Sequence, residues 1–162
     1  MMTVAVLTIS DSGAEGTRED ASGEVVREMI RDAGTIVHTS ILPDERIFIK
    51  AALAELADEG VNLILTTGGT GLSPRDVTPE ATMDVAERLV PGIAEAMRQA
   101  GMEKTPRAML SRGVAVIRKN TLIINLPGSP KAARESLQAV LPVLTHAVEK
   151  LCGDMSECAI NE

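Results

Sequence analysis

Aromatic side chains are nearly missing from this sequence: it has no tryptophan, no tyrosine and one phenylalanine, Phe48. Proteins that bind single-stranded nucleic acid stack bases on aromatic platforms, and this chain has no material for one. Basic runs are missing as well. A formal net charge of -7 and a pI near 4.9 leave no positive stripe to neutralise a phosphate backbone, so no nucleic-acid partner is expected. No apolar run approaches the length of a membrane-crossing helix, and the N-terminus enters a strand pattern without a charged and apolar leader; a cytoplasmic protein with no membrane partner is expected. Cysteine is limited to Cys152 and Cys158, whose spacing matches neither a CxxC redox pair nor a zinc knuckle, and both read as reduced thiols. The two histidines, His38 and His146, fall on a strand and on the last helix, far from any serine or cysteine that would complete a triad.

What is present is an aliphatic chain with chemistry concentrated at its turns. At 162 residues, 44% hydrophobic and 24% charged, it suits one soluble domain over 1–153 with a core of Leu, Ile, Val, Ala and Met, followed by a polar tail, 154–162. Met83, Met97, Met102 and Met109 read as core or interface fillers. Continuous β-branched runs at 3–9, 35–42 and 61–67 read as buried parallel strands, and amphipathic segments between them read as helices. The two apolar runs 113–118 and 121–125 are joined by Lys119 and Asn120 alone, which demands an antiparallel hairpin. The pattern predicts an α/β fold: three layers, α/β/α, with a mostly parallel mixed sheet that includes one antiparallel hairpin strand. Helices are expected at 45–59, at 79–89, from Pro91 onward, and from Pro130 to the C-terminal region with a kink at Pro142; Gly34 reads as a helix cap and 16–20 as a mobile loop.

The stretch 61–80, VNLILTTGGTGLSPRDVTPE, carries the strongest signal. Its strand ends at Gly68, Gly69, Thr70 and Gly71, where small residues leave backbone N–H groups open to an anion. Thr78 is a candidate helix N-cap ahead of Pro79, and Arg75 and Asp76 set a cation and a carboxylate beside the cradle. Open α/β sheets bind ligands beyond the C-terminal ends of their strands, so the other strand ends matter too. After the first strand come Ser10, Asp11, Ser12 and Gly13, which either face the same crevice or form a local Asx or Ser turn. Asp44 follows the second strand, where a helix-capping role is the simpler reading. Ser111 and Arg112 lie in a loop that either approaches an anion or is plain surface. Gly128 and Ser129, ahead of Pro130, repeat the strand, glycine and capped-helix pattern and offer a second anion-friendly helix start.

Two familiar templates fail. The glycine stretch lacks the Gly-Lys-Ser/Thr end of a Walker A loop, and Pro74 stands where a dinucleotide fingerprint needs its last glycine. The carboxylates Asp11, Asp44 and Asp76 beside phosphate donors instead suit Mg²⁺, which is held by one or two carboxylates together with substrate phosphates. That set suffices for phosphoryl or nucleotidyl transfer, where the protein mainly positions groups and offsets charge.

The strings TTGGTG (66–71), SPRDVTPEA (73–81), LSRG (110–113), NLPGSP (125–130) and ILPDE (41–45) resemble, over nearly the whole chain, the molybdenum cofactor biosynthesis family that includes MogA, MoaB and the gephyrin G domain. The resemblance implies a molybdopterin adenylyltransferase. The terminal phosphate of molybdopterin would attack the α-phosphate of ATP, giving adenylylated molybdopterin and pyrophosphate with Mg²⁺ assistance. It also implies a homotrimer, and a molybdenum-insertion enzyme as the partner that receives the product. Carried over by motif, Asp44 of PDE and Asp76 of PRD are the catalytic and metal-holding residues, which displaces the capping reading of Asp44. Gly68, Gly69, Thr70 and Gly71 lie against the phosphates, while Ser111 and Ser129 resemble positions that contact the pterin. Ser10, Asp11, Arg75 and Gly128 complete the expected binding set. A non-catalytic pterin carrier or a scaffold of the same family is the competing reading; the presence of both Asp44 and Asp76, and the lack of a partner-binding extension, favour the enzyme.

Overall fold

The computed structural model describes residues 2–153. Six strands form one sheet: β1 (Met2–Ile9), β2 (Gly34–Leu42), β3 (Leu63–Thr67), β4 (Arg88–Leu89), β5 (Ala115–Arg118) and β6 (Thr121–Leu126), in the spatial order β2-β1-β3-β6-β5-β4. Between them lie α1 (Asp11–Ala14), α2 (Ala21–Ile30), α3 (Arg46–Asp58), α4 (Thr78–Val85), α5 (Pro91–Met102), a 3₁₀ turn (Pro106–Leu110) and α6 (Pro130–Leu151). β1, β2, β3 and β6 run parallel, and β5 opposes both β6 and β4. The three-layer arrangement and the antiparallel hairpin are as expected.

Strand alternation sorts the core into two layers. Val4, Val6, Leu63, Leu65, Leu122 and Ile124 face α2, α5 and α6. Their neighbours Ala5, Leu7, Ile64 and Ile123 face α3 and α4. Met97 is buried in the first layer, while Met83, Met102 and Met109 are exposed rather than core fillers. Register then builds the site: Ile9 pairs with Leu42, Thr8 with Thr67, and Thr67 with Leu126. The C-terminal ends of four parallel strands are therefore level, and the turns that follow them meet on one edge. The chain leaves β1 toward β2 and crosses back to β3, so a crevice opens between the β1 and β3 ends.

Several local expectations change. The helix expected over 79–89 stops at Val85, because Ala86 turns extended and Glu87 and Val90 donate to the carbonyls of Ile117 and Ala115. The periodic Val85 and Leu89 fit a helix equally well; Pro91 pushes Val90 out of helical backbone and leaves Arg88–Leu89 free to pair as an edge strand. Thr78 does not cap α4. It is the first helical residue behind Val77, and its hydroxyl donates to the Gly68 carbonyl at 2.9 Å. Gly34 begins β2, where a Cβ would lie 2.7 Å from Val4 Cγ2. The 16–20 loop is tied down: Thr17 donates to the Ser12 carbonyl, and Asp20 caps α2 while pairing with Arg27. α6 continues through Pro142 as one helix. Cys152 is an exposed free thiol, while Cys158 and the expected 154–162 tail lie outside the described residues.

Candidate functional site

The turn from β3 to α4 begins with two glycines that no other residue could replace cheaply. Gly68 has φ +103°, and a Cβ there would sit 2.2 Å from the Ile9 carbonyl oxygen; Gly69 has φ +66°, and its Cβ would meet Thr78 Oγ1 at 2.2 Å. The turn is thus pressed against the end of β1 and the start of α4. Its anchors are the Gly68 N–H to the Leu126 carbonyl (3.1 Å) and the Thr78 N–H to the Gly69 carbonyl (3.1 Å). The amides of Gly69, Thr70, Gly71 and Leu72, by contrast, have no partner among the described residues. Thr70 is only 5% exposed, and Gly69, Thr70 and Gly71 line a cavity, so their unpaired N–H groups form the kind of backbone arrangement that receives anions, with the exposed Leu72 at its outer end.

The two carboxylates flank that concavity. A Cβ on Gly69 would come within 3.1 Å of Asp44 Oδ1, and one on Gly71 within 2.8 Å of Asp76 Oδ2. Asp76 also accepts from the Ser73 N–H at 2.9 Å, which folds its side chain back over the turn. Asp44 is not a cap: Glu45 occupies the N-cap of α3 without a side-chain bond. Instead Asp44 exchanges paired bonds with Asp11, whose N–H donates to Asp44 Oδ2 (3.0 Å) while the Asp44 N–H donates to Asp11 Oδ1 (2.9 Å). Burial pushes the Asp44 carboxyl above its ordinary range, and the negative charges of Asp11 and Asp76 push the same way against the Asp11 N–H and Arg75. Asp11 is held below its ordinary range, chiefly by hydrogen bonds from Arg75.

Two adjoining lobes of about 400 and 360 Å³ share Gly69, Asp76 and Gly128 as a common wall. The smaller lobe is polar and holds Ser10, Asp20, Asp44, Gly68 and Ser129. The larger is lined mainly by apolar groups, including Ala94, Met97, Ala108 and Pro127, with Thr70, Gly71 and Ser111 at its edge. Gly128 packs closely on the first glycine of the β3–α4 turn, where a Cβ would lie 3.1 Å from the Gly68 Cα.

Most of the expected residues therefore converge, in an unexpected division. Ser111 and Ser129 stand in different lobes. Ser10 lines the polar lobe while its oxygen accepts from the Gly13 N–H and caps α1, so the crevice and local-turn readings both hold. Ser129 accepts from the Ala132 N–H at 3.2 Å as the N-cap of α6, as expected. Asp11 and Arg75 line neither lobe. Arg75 donates from Nε and Nη2 to Asp11 (3.0 and 2.9 Å) and from Nη1 to Glu45 (3.1 Å), so its donors hold carboxylates rather than facing the cradle.

Two contributors escaped the sequence reading. Asp20 borders the polar lobe and accepts from Thr8 Oγ1 (2.7 Å), the Gly23 N–H (2.9 Å) and Arg27 (2.8 Å). Its signal was the Asp20-Ala21-Ser22-Gly23 helix start. Asn125, 1% exposed, borders the apolar lobe and donates to Thr66 and Thr82 hydroxyls at 3.0 and 2.9 Å, bracing β6 against β3 and α4.

The chain is similar to known proteins over most of its length. The chain is 40% identical over 163 residues to the molybdopterin adenylyltransferase of Helicobacter pylori strain J99, covering 98% of this chain and 92% of that one. It is 44% identical over 143 residues to the molybdopterin adenylyltransferase of Escherichia coli K12, covering 86% and 73%. The crystal structure of the molybdopterin biosynthesis enzyme MoaB from Thermus thermophilus superposes with a TM-score of 0.90 at 53% identity, covering 95% and 98%. The family model described as "Probable molybdopterin binding domain" matches residues 5–146, and the chain belongs to this molybdenum cofactor biosynthesis family.

Proposed function

We propose that this chain is a molybdopterin adenylyltransferase acting on Mg-ATP. The observation that carries the reading is the row of unpartnered amides from Gly69 to Gly71, set between the carboxylates of Asp44 and Asp76 beside the wall the two lobes share. Amides alone would suit any anion; relatives named as adenylyltransferases over most of their length narrow the choice to this transfer.

An oxygen of the pterin's terminal phosphate forms the new bond to the α-phosphorus of ATP as the bond to the β-phosphate oxygen breaks, and pyrophosphate leaves with that electron pair. The lobes hold the two substrates on either side of the shared wall, so that attacking and leaving oxygens lie in line. The amides of Gly69 to Leu72 donate to phosphate oxygens, and the larger lobe's apolar lining accepts a flat ring system. Carboxylates facing phosphates would repel them unless a cation stood between. Mg²⁺ takes one or two carboxylates and leaves its remaining positions to phosphates and water. Asp44 and Asp76 are the residues that would hold Mg²⁺, and the ion would supply positive charge against the negative charge gathered on the phosphates. Asp11, fixed by Arg75, orients Asp44.

A cytoplasmic homotrimer that passes its product to a molybdenum-insertion enzyme follows from the same reading; light scattering after size exclusion checks the assembly. The activity is tested by pyrophosphate release from ATP and Mg²⁺, with and without molybdopterin, and by mass spectrometry of the pterin. Pterin-dependent release with an AMP-bearing product is expected. Pterin binding without release would make the chain a carrier and withdraw the transfer.

A further inference from the structure

We propose that Arg112 is a positioning residue for the transfer, a clamp that fixes Asp76 and aims the free amides of the β3–α4 turn from outside the cleft. This rests on the function proposed above. Arg112 lines neither lobe. Its main-chain N–H donates to the Thr70 carbonyl at 2.9 Å. Its side chain then spans the turn: Nε donates to the Gly71 carbonyl (2.8 Å), Nη2 to the Asp76 carbonyl (2.7 Å), and Nη1 to the Glu80 carboxylate on α4. One guanidinium therefore ties both ends of 71–76 to the first turn of the next helix.

The contact also decides where the amides point. In a planar trans peptide the N–H is directed opposite to the carbonyl of the preceding residue. With the carbonyls of Thr70, Gly71 and Asp76 turned toward Arg112, the N–H groups of Gly71, Leu72 and Val77 are turned away from it. Gly71 and Leu72 belong to the unpartnered set. Asp76 receives its main-chain anchor from Arg112 and its side-chain anchor from the Ser73 N–H, so clamp and carboxylate form one unit. The clamp is itself braced, because Arg98 of α5 donates to the Gly113 carbonyl at 3.0 Å, one residue beyond Arg112. Lysine cannot replace this. A single ammonium carries its donors at one point, whereas the planar fork reaches separate acceptors at once.

The test pairs Arg112→Lys with Glu80→Gln, a shape-preserving change at the clamp's far partner. Each variant is measured for steady-state AMP transfer, melting temperature, and hydrogen exchange of a peptide covering 69–78, where Ser73, Asp76 and Thr78 hold internal bonds. For Arg112→Lys, kcat is expected to fall by about 10- to 100-fold with KM for both substrates within about twofold. Those three amides should exchange about tenfold faster. Glu80→Gln should move the same readouts in the same direction by a smaller factor, and it carries the test if Arg112→Lys does not fold. A lower melting temperature with kcat and exchange unchanged would make Arg112 a residue of the fold alone and overturn the proposal. If the wild-type protein transfers no AMP, the proposed function fails, and exchange by itself decides on the clamp: unchanged protection of 69–78 overturns it.

Discussion

Two corners of the molecule follow a similar strand, glycine and helix pattern and are held in different ways. After β6, the turn through Pro127, Gly128 and Ser129 enters α6 at once, and the Ser129 hydroxyl and carbonyl accept from the N–H groups of Ala132 and Ala133. That corner caps its own helix, while Thr67 of β3 holds the Pro127 carbonyl and the amides of Gly128, Ser129 and Lys131 have no partner among the described residues. After β3, the chain runs through 68–77 before α4, leaves the amides of Gly69 to Leu72 unpaired, and draws its rigidity from Leu126, Thr78 and Arg112. The short corner is stabilised by its helix cap and one bond from β3, and the long one has no cap of its own and is held by distant residues on three sides. Both corners line the cleft, and they differ in whether a helix start or a braced loop presents the open amides.

The largest effect that would sharpen this contrast is on chemistry. Asp76→Asn keeps shape and removes charge at the long corner, so AMP transfer is expected to fall by about 10²–10³, while molybdopterin affinity stays within about twofold. Pyrophosphate release and a direct binding titration check it; an unchanged turnover would remove Asp76 from the mechanism. Next comes Gly68→Ala. The substitution meets both an unfavourable φ of +103° and the Ile9 carbonyl at 2.2 Å, and a cost of about 3 kcal/mol lowers the melting temperature by roughly 6–12 °C. Gly60→Ala is the control: its φ is +86° with nothing within 4 Å of a Cβ, so only the backbone term of about 1–2 kcal/mol applies. Equal losses at the two sites would mean that the press of the turn against β1 contributes nothing.

The contrast also explains what could be read from sequence. Parallel strands, the hairpin at Lys119 and Asn120, and the Ser129 cap were legible because each is decided by neighbours in the chain. Gly68 to Gly71 and Asp76 stood out as a candidate site because three glycines among four residues exceed what a turn needs. The partners of Arg112 and Arg75 were not legible. Arg75 follows the glycine stretch and Arg112 lies in a loop far along the chain, and their partners, Asp11 and Glu45 for the first and Gly71 and Glu80 for the second, are brought to them by sheet order. Thr78 failed likewise: the Gly68 carbonyl, folded back across the turn, outcompetes the local cap. Arg88–Leu89 became a strand because β5 presented an open edge, which no local period encodes.

At the short corner the expected effect is smaller and local. Ser129→Ala removes one N-cap bond, worth about 1 kcal/mol, and should lower the melting temperature by about 2–4 °C. Exchange of the amides in 69–78 should stay at the wild-type rate. A faster rate there would show that the two corners are one cooperative unit and break the comparison.

The smallest effect concerns Asp44, through which a third turn enters the long corner. Its folded carboxyl is raised above its ordinary value by burial, with Asp11 and Asp76 adding to it. The sign follows from linkage: the folded state binds this proton more tightly than the unfolded state does, so the contribution is favourable below the unfolded value and is lost as pH rises through the folded one. At neutral pH the ionised Asp44 is a net cost, and Asp44→Asn should raise the melting temperature by about 1–2 °C after solvent screening, while transfer falls sharply. Asp11 has the opposite sign, since hydrogen bonds from Arg75 hold it low and its contribution is lost only in acid. The stabilisation by Asp44→Asn should therefore shrink as pH falls through the raised Asp44 value, where the wild-type carboxyl is itself neutral. Melting curves of both proteins from neutral to acid pH measure this, and a gain independent of pH would place its origin in packing rather than in the buried charge.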